Sequence, residues 1–301
     1  MPAALTAPLG AVPKFLVRYR CSPMTERIAP TCYRHPDRTT GLSCSSCEKP
    51  ICVECSHDTS VGQKCAECAR PKGRARVITA RQALGRPSFQ TAPVTFTIMA
   101  ITGAIFVVGY LSPEANQWLL KTFAQANWLV EAGQWWRVFT VALLHGGFMH
   151  IAFNMYALYL FGPRLERQVG GPAFAALYVA AAGAGGTLSY LFGPVDQVSV
   201  GASGAIFGLL GAWTFVAWKM RNTPGGREMF NQLGVLLAIN LALPLFVAGI
   251  DWRAHVGGLA SGILIAWLWS LFAVGRPNAK TIRTVIGSGV AVAAALITMT
   301  F

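Results

Sequence analysis

The sequence predicts an all-α fold, a polytopic bundle of membrane helices preceded by a small cysteine-rich domain, on three observations. The 301 residues are 53% hydrophobic and 12% charged, whereas soluble domains carry about a quarter charged residues. Stretches without Asp, Glu, Lys or Arg, long enough to cross a bilayer, recur from position 87 to the C-terminus. All eight cysteines precede position 90, so the two parts of the chain differ in chemistry.

Residues 1–28 read as an N-terminal extension, untranslated or disordered. Residues 1–23 lack the long apolar core and small-residue cleavage site of a secretory leader. Met24 opens a polar segment, Met24-Thr25-Glu26, and is an alternative start.

A metal-binding domain is expected over 29–70. Pairs recur as Cys32-x2-His35, Cys44-x2-Cys47, Cys52-x2-Cys55 and Cys65-x2-Cys68, which supplies the eight ligands of two tetrahedral zinc sites. Disulfides are the competing use, disfavoured by the cytoplasmic side that loop charge assigns below. Roughly 37 residues between first and last ligand are too few to bury a core, so metal would supply the folding free energy. The spacing resembles B-box-like zinc fingers, in which alternate pairs share a metal. That resemblance implies one ion on Cys32, His35, Cys52 and Cys55 and a second on Cys44, Cys47, Cys65 and Cys68. The usual pattern ends in histidines where Cys65 and Cys68 stand. His57 is a substitute ligand or an ordinary surface histidine, and Cys21 lies outside the pairs. Lys49 and Arg70 are basic, but no interleaving of aromatic and basic residues supports nucleic-acid binding, and none is expected. A cytoplasmic protein partner suits the domain better.

A basic linker follows over 71–92. Charge-free stretches then run 87–113, 138–163, 168–195, 197–218, 229–250, 254–275 and 284–301. Each meets the ~20 apolar residues of a span, which predicts seven transmembrane helices in the lipid bilayer. Gly and Ala in the third and seventh suit small-residue faces buried against neighbours. Orientation follows from the positive-inside bias. One side holds fourteen basic residues: Arg70, Lys72, Arg74, Arg76, Arg81, Arg86, Arg164, Arg167, Lys219, Arg221, Arg227, Arg276, Lys280 and Arg283. The other holds Lys121, Arg137 and Arg253. The N-terminal domain is therefore expected in the cytoplasm and the C-terminus outside. A net charge of +13 is explained by topology, since no single basic face gathers it. The first outer loop, about 112–137, carries Trp118, Trp128, Trp135 and Trp136, which fits a headgroup-level segment or an amphipathic connector.

Polar groups inside spans are costly and mark function. His150 and Asn154 lie four apart, on one helical face of the second span. Ser203 opens the fourth in Gly201-Ala202-Ser203-Gly204, and His255 opens the sixth. All three spans enter from the outside, so the groups share a depth of roughly 6–10 Å below the outer face. Amide hydrolysis needs a nucleophile, a base and oxyanion donors. Ser203, His255, and the pair His150 and Asn154 fill those roles in order. Small-residue packing is the bland reading of each element, weakened by their convergence. Gly204, Gly208 and Gly211 with Gly258 and Gly262 allow two backbones to approach closely. No acid stands in the outer half of a span to orient His255, which favours a dyad over a triad.

From about Trp136 to Gly262 the chain resembles the rhomboid intramembrane proteases. The motifs match in order: Trp136-Arg137, His150-x3-Asn154, Gly201-x-Ser203-Gly204, and His255 with Gly258-x3-Gly262. Glu166 and Gly170 resemble a structural segment after the second span. The resemblance implies a six-helix catalytic core, 93–275, with a loop and seventh helix over 276–301. It implies that Ser203 attacks, His255 transfers protons, and His150, Asn154 and the Ser203 N–H receive the oxyanion, with no cofactor for catalysis. Transmembrane proteins cut near the outer face are the implied substrates, entering past the fifth span and the loop around Gly249 to Trp252. A bacterial plasma membrane is the expected location. Phe207 stands where many members have Tyr against the histidine, so its ring can pack without a phenolic hydrogen bond. His145 reads as a loop or packing residue. The alternative from another functional class is a catalytically inactive rhomboid-like protein that binds membrane clients. A transporter is disfavoured, since neither a buried acid chain nor an inverted repeat is evident.

Overall fold

The computed structural model describes residues 29–59, 62–69 and 87–301. The expectations for residues 1–28, Met24 and Cys21 included, and for the basic segment from Arg70 to Arg86 lie outside the described residues. The chain divides between Ala83 and Leu84 into two compact units, each taken by itself.

The first unit holds a 3-10 turn, Val53–Cys55, a hairpin of β1 (Ser56–Thr59) and β2 (Gly62–Cys65), and a single turn of helix, α1 (Ala66–Ala69). The hairpin register sets Ser56 opposite Cys65. Isolated bridges pair Thr31 with Thr39 and Ser43 with Pro50. Its buried cluster is five cysteines, Cys32, Cys44, Cys52, Cys55 and Cys65, around one aliphatic side chain, Ile51. So small an apolar core does not offset the ordering entropy of such a chain without cross-linking.

The second unit is helical. After α2 (Pro93–Leu111) come α3 (Pro113–Phe123), the two-residue strand β3 (Gln125–Ala126), α4 (Asn127–Glu131) and α5 (Arg137–Thr140). The long helices α6 (Phe148–Val169) and α7 (Gly171–Phe192) follow, then β4 (Val198–Ser199), α8 (Ser203–Lys219), α9 (Pro224–Ala242), α10 (Trp252–Phe272) and α11 (Ala279–Thr300). Five of these, α2, α7, α9, α10 and α11, are long and apolar enough to span a membrane. The pair Arg137–Leu143 and Phe148–Val169, bent by 96°, makes a sixth where it is counted as one broken span. The chain is thus an integral, multi-pass membrane protein.

The predicted fourth stretch, 197–218, is helical only from Ser203. Val198 and Ser199 instead pair antiparallel with Ala126 and Gln125 of β3. Gly201, at φ +132°, then turns the chain through a conformation that L side chains disfavour. At 17 residues, α8 is about 25 Å long against a hydrocarbon layer of ~30 Å.

The segment between α2 and α5 is built of α3, β3 and α4 and pinned by buried polar groups. Arg137, 4% exposed, donates through Nη1 to Ala124 O and through Nη2 to Lys121 O, both at 2.6 Å, and through Nε to Gln134 at 2.8 Å. Gln125 donates to Gly186 O of α7 at 2.9 Å. Trp118, Trp128 and Trp136 remain exposed, as suits aromatic side chains at headgroup level.

At the opposite end, Glu166 is 2% exposed. Its carboxylate accepts from the N–H groups of Val94 and Thr95, at 2.9 and 2.8 Å, and from Thr95 Oγ1 at 2.7 Å. It therefore caps α2, whose first N–H groups have no intrahelical partner, from a different span. The C-terminal helix α11 lies along α7, where the hydroxyls of Thr187 and Thr298 are 2.8 Å apart.

The centre of the unit is a trio, α7, α8 and α10, in backbone contact. A Cβ placed on Gly258 would stand 1.9 Å from Gly204 O, and one on Gly262 the same distance from Gly208 O. On Gly257 it would meet Ala184 O at 2.6 Å. Glycine is required at these crossings because nothing larger leaves room for the facing carbonyl.

Candidate functional site

His150 is the third residue of α6, Ser203 the first of α8 and His255 the fourth of α10. All three stand in the first turns of helices that enter the bundle in the same direction, so one end of the bundle gathers them. Ser203 is partly accessible, whereas Asn154 and His255 are buried, at 7% exposure each. Since α8 starts at Ser203, the N–H groups of its first turn point out of the helix end with the positive end of its dipole.

The left-handed Gly201 brings the elements together. A Cβ there would lie 2.7 Å from His150 Nε2 and 3.8 Å from Ser203 Oγ. Imidazole and hydroxyl thus flank the same small space, which a side chain at 201 would fill. The Gly201 N–H donates to Val141 O at 3.0 Å, which ties this turn to the bend before α6. Asn154 Nδ2 donates one N–H to His150 O at 2.8 Å, and the amide has a second to offer.

Phe207 stacks on His255 with ring centroids 4.1 Å apart and planes 8° from parallel. The packing expected of this ring is present, and its place one turn after Ser203 lets one helix carry both the hydroxyl and the support of the imidazole. His255 Nδ1 is buried with no hydrogen-bond partner among the described residues. His145, in the loop before α6, meets His150 edge-on at 5.0 Å between centroids.

Sequence reasoning missed Asp251. It directly follows the charge-free stretch 229–250 and is the N-cap of α10, one turn before His255. Its Oδ1 accepts from Ala254 N at 3.2 Å, and its Oδ2 from Ser199 Oγ at 2.8 Å and from Ser189 Oγ. An Asp directly before an apolar helical stretch is an N-cap signal and could have revealed it.

In the N-terminal unit, Cys32, His35, Cys52 and Cys55 form one tetrad and Cys44, Cys47, Cys65 and Cys68 another, the ligand atoms of each within 4.8 Å of one another. In the first, His35 Nδ1 stands 3.4, 3.5 and 3.9 Å from the sulfurs of Cys52, Cys55 and Cys32. In the second, the Cys47 and Cys65 sulfurs are 3.8 Å apart. A tetrahedral zinc with ordinary bond lengths has N···S edges of about 3.6 Å and S···S edges of about 3.8 Å, so donors and spacing fit that ion. His57 is exposed on β1 and belongs to neither tetrad. Burial raises the Cys32 thiol, but backbone N–H donors of Arg34, Cys52 and His35 outweigh it and bring it down to about 6. The Cys65 backbone and then its own knuckle lower Cys44 to about 6 against burial. Cys52 and Cys65 are also lowered, so each tetrad holds two thiols shifted toward the thiolate, the form that binds metal.

Comparison with known proteins agrees with this architecture. The family model for the rhomboid domain matches residues 132–272. The rhomboid protein YdcA of Bacillus subtilis (strain 168) is 35% identical over 176 residues, 58% of this chain and 88% of its own length. Rhomboid protease GluP of the same organism is 37% identical over 195 residues, 64% of this chain and 37% of GluP. RHOMBOID-like protein 4 of Arabidopsis thaliana is 36% identical over 143 residues, 46% of this chain and 35% of that protein.

Proposed function

The chain belongs to the rhomboid family, and from that premise we propose that it is an intramembrane serine endopeptidase with Ser203 as nucleophile and His255 as base. Ser203 Oγ attacks the carbonyl carbon of the scissile amide while His255 takes the hydroxyl proton. The developing oxyanion is received by the Ser203 N–H, the His150 imidazole and the Asn154 amide, donors aimed at charge that exists only in the transition state. Collapse breaks the C–N bond, and His255 returns the proton to the leaving amine. Water then attacks the ester, again giving its proton to His255, and restores Ser203. No cofactor enters these steps.

The observation that carries the reading is the placement of His150, Ser203 and His255 in the first turns of three co-directed helices around the Gly201 turn. Ser203 at the start of a helix shorter than the hydrocarbon layer supports cleavage within the bilayer, and the few basic residues in the loops at that end support its assignment to the outside. Substrates are transmembrane proteins presented near this outer end. The two tetrads hold zinc in a structural, cytoplasmic domain, whose small core supports a role in recruiting a protein partner.

A serine-directed fluorophosphonate added to the detergent-solubilised protein tests the assignment. We expect covalent labelling of the wild type and none of Ser203→Ala. Labelling that survives the substitution overturns Ser203 as nucleophile. An unlabelled wild type that binds a transmembrane protein without cutting it points to the client-binding alternative.

A further inference from the structure

The proposed chemistry uses three oxyanion donors, a nucleophile and a base, but nothing in it explains what holds the base. His255 Nδ1 has no hydrogen-bond partner among the described residues, and Phe207 covers one face of the ring. Stacking restrains tilt far better than sliding in the ring plane. The position of His255 therefore depends on the first turn of α10, the least constrained part of any helix.

That turn is held by Asp251. Its main-chain O accepts from His255 N at 3.3 Å and its Oδ1 from Ala254 N at 3.2 Å, which is the work of an ordinary N-cap. The second oxygen does something a cap does not need. Oδ2 accepts from Ser199 Oγ at 2.8 Å, and from Ser189 Oγ. Ser189 is fully buried near the end of α7, and Ser199 lies in β4, four residues before Ser203. One carboxylate thus joins the start of the base-bearing helix, the central helix and the strand that leads to the nucleophile. All three side-chain partners are donors, which an ionised carboxylate accepts without conflict, and hydrogen bonds to a charged acceptor are the stronger kind.

We propose that Asp251 is a positioning residue for the Ser203–His255 pair, tying the first turn of α10 to the segment that delivers Ser203. The proposal rests on the protease reading above and extends it to what sets the spacing of its two reacting groups. Asp251 touches no reacting atom. It acts by limiting motion of His255 relative to Ser203, where a misplacement of about 1 Å is enough to cost on the order of 100-fold in rate.

The test separates tether from cap. In Ser189→Ala/Ser199→Ala the carboxylate keeps its bond to Ala254 N and loses both outside partners. We expect kcat on a transmembrane substrate in detergent to fall about tenfold or more, with KM within about twofold, while the thermal midpoint falls but stays above the assay temperature. Asp251→Ala should fall at least as far, and adding both serine changes to it should cause no further loss, since they act through the same oxygen. A double-serine variant with wild-type kcat overturns the proposal, as does a loss that multiplies with that of Asp251→Ala. If Asp251→Ala does not fold, the double-serine variant alone decides. An inactive wild type would instead refute the protease reading, and Asp251 would then have no reacting pair to position.

Discussion

Gly258→Ala tests whether backbone contact sets the spacing of the site. The added Cβ would stand 1.9 Å from Gly204 O and 2.8 Å from Gly204 C. An unstrained contact between a methyl and a carbonyl oxygen is about 3.2–3.4 Å, so α10 and α8 must part by roughly 1.3–1.5 Å, because close-packed interiors absorb such overlap only by moving. Overpacking of this kind costs about 1–3 kcal/mol, while replacing a helical Gly by Ala returns up to about 1 kcal/mol of backbone propensity. The net loss of stability is about 0–2 kcal/mol, small enough for the protein to fold. The effect on rate is larger, because Gly258 is one turn from His255 and Gly204 is adjacent to Ser203. A displacement above 1 Å between base and nucleophile corresponds to about a 100-fold loss. The assay is the second-order rate of fluorophosphonate labelling at Ser203, measured beside the thermal midpoint. Gly234→Ala is the control, since nothing lies within 4 Å of a Cβ at that position on α9, and it should label at the wild-type rate. Labelling of Gly258→Ala within about threefold of wild type would refute the claim that this contact sets the geometry.

Other expectations follow from the same contacts. Glu166→Gln should destabilise the membrane unit by about 1–3 kcal/mol in denaturant titrations, because a donor NH2 then faces N–H and O–H donors at the start of α2; an unchanged midpoint would contradict the cap. Arg137→Lys should not rescue Arg137→Ala, because an ammonium cannot match three acceptors in a planar fork, and equal thermal midpoints for Arg137→Lys and wild type would show otherwise. Removing metal with a chelator should unfold the N-terminal unit while Ser203 labelling persists, and metal analysis of the purified protein should give about two zinc ions per chain; a chain free of zinc would refute this.

The fold was largely legible because a bilayer constrains sequence more strongly than water does. Charge-free stretches marked every long helix, the paired spacing of cysteines and histidine named the eight ligands, and the resemblance to B-box-like fingers anticipated how they divide into two tetrads. The failures were local and had a common cause. Hydropathy reports where a chain avoids charge, not where its backbone becomes helical, so it ran the fourth stretch through the β4 pairing and the Gly201 turn. The same rule hid Asp251, which ends the fifth charge-free stretch and so stands outside every apolar run. Phe207 was read correctly as a packing ring, but its near-parallel stack on His255 could not be inferred from a residue one turn away. The candidate roles of His150 and Asn154 came from i,i+4 spacing, whereas the closeness of His150 to Ser203 depends on a glycine conformation that no periodicity reports.

The close contacts among α7, α8 and α10 are between main-chain atoms, whereas α9 meets the bundle with few buried side chains: 11% of its most apolar window is buried, against 67% for α7. The protein thus has a stiff jaw and a soft one. Heat, bilayer thickness or detergent will act first on the soft side, because side-chain interfaces yield before carbonyl-on-glycine contacts do. Changing the lipid should therefore alter how often a substrate reaches the serine, and leave almost untouched how fast the serine reacts once it has.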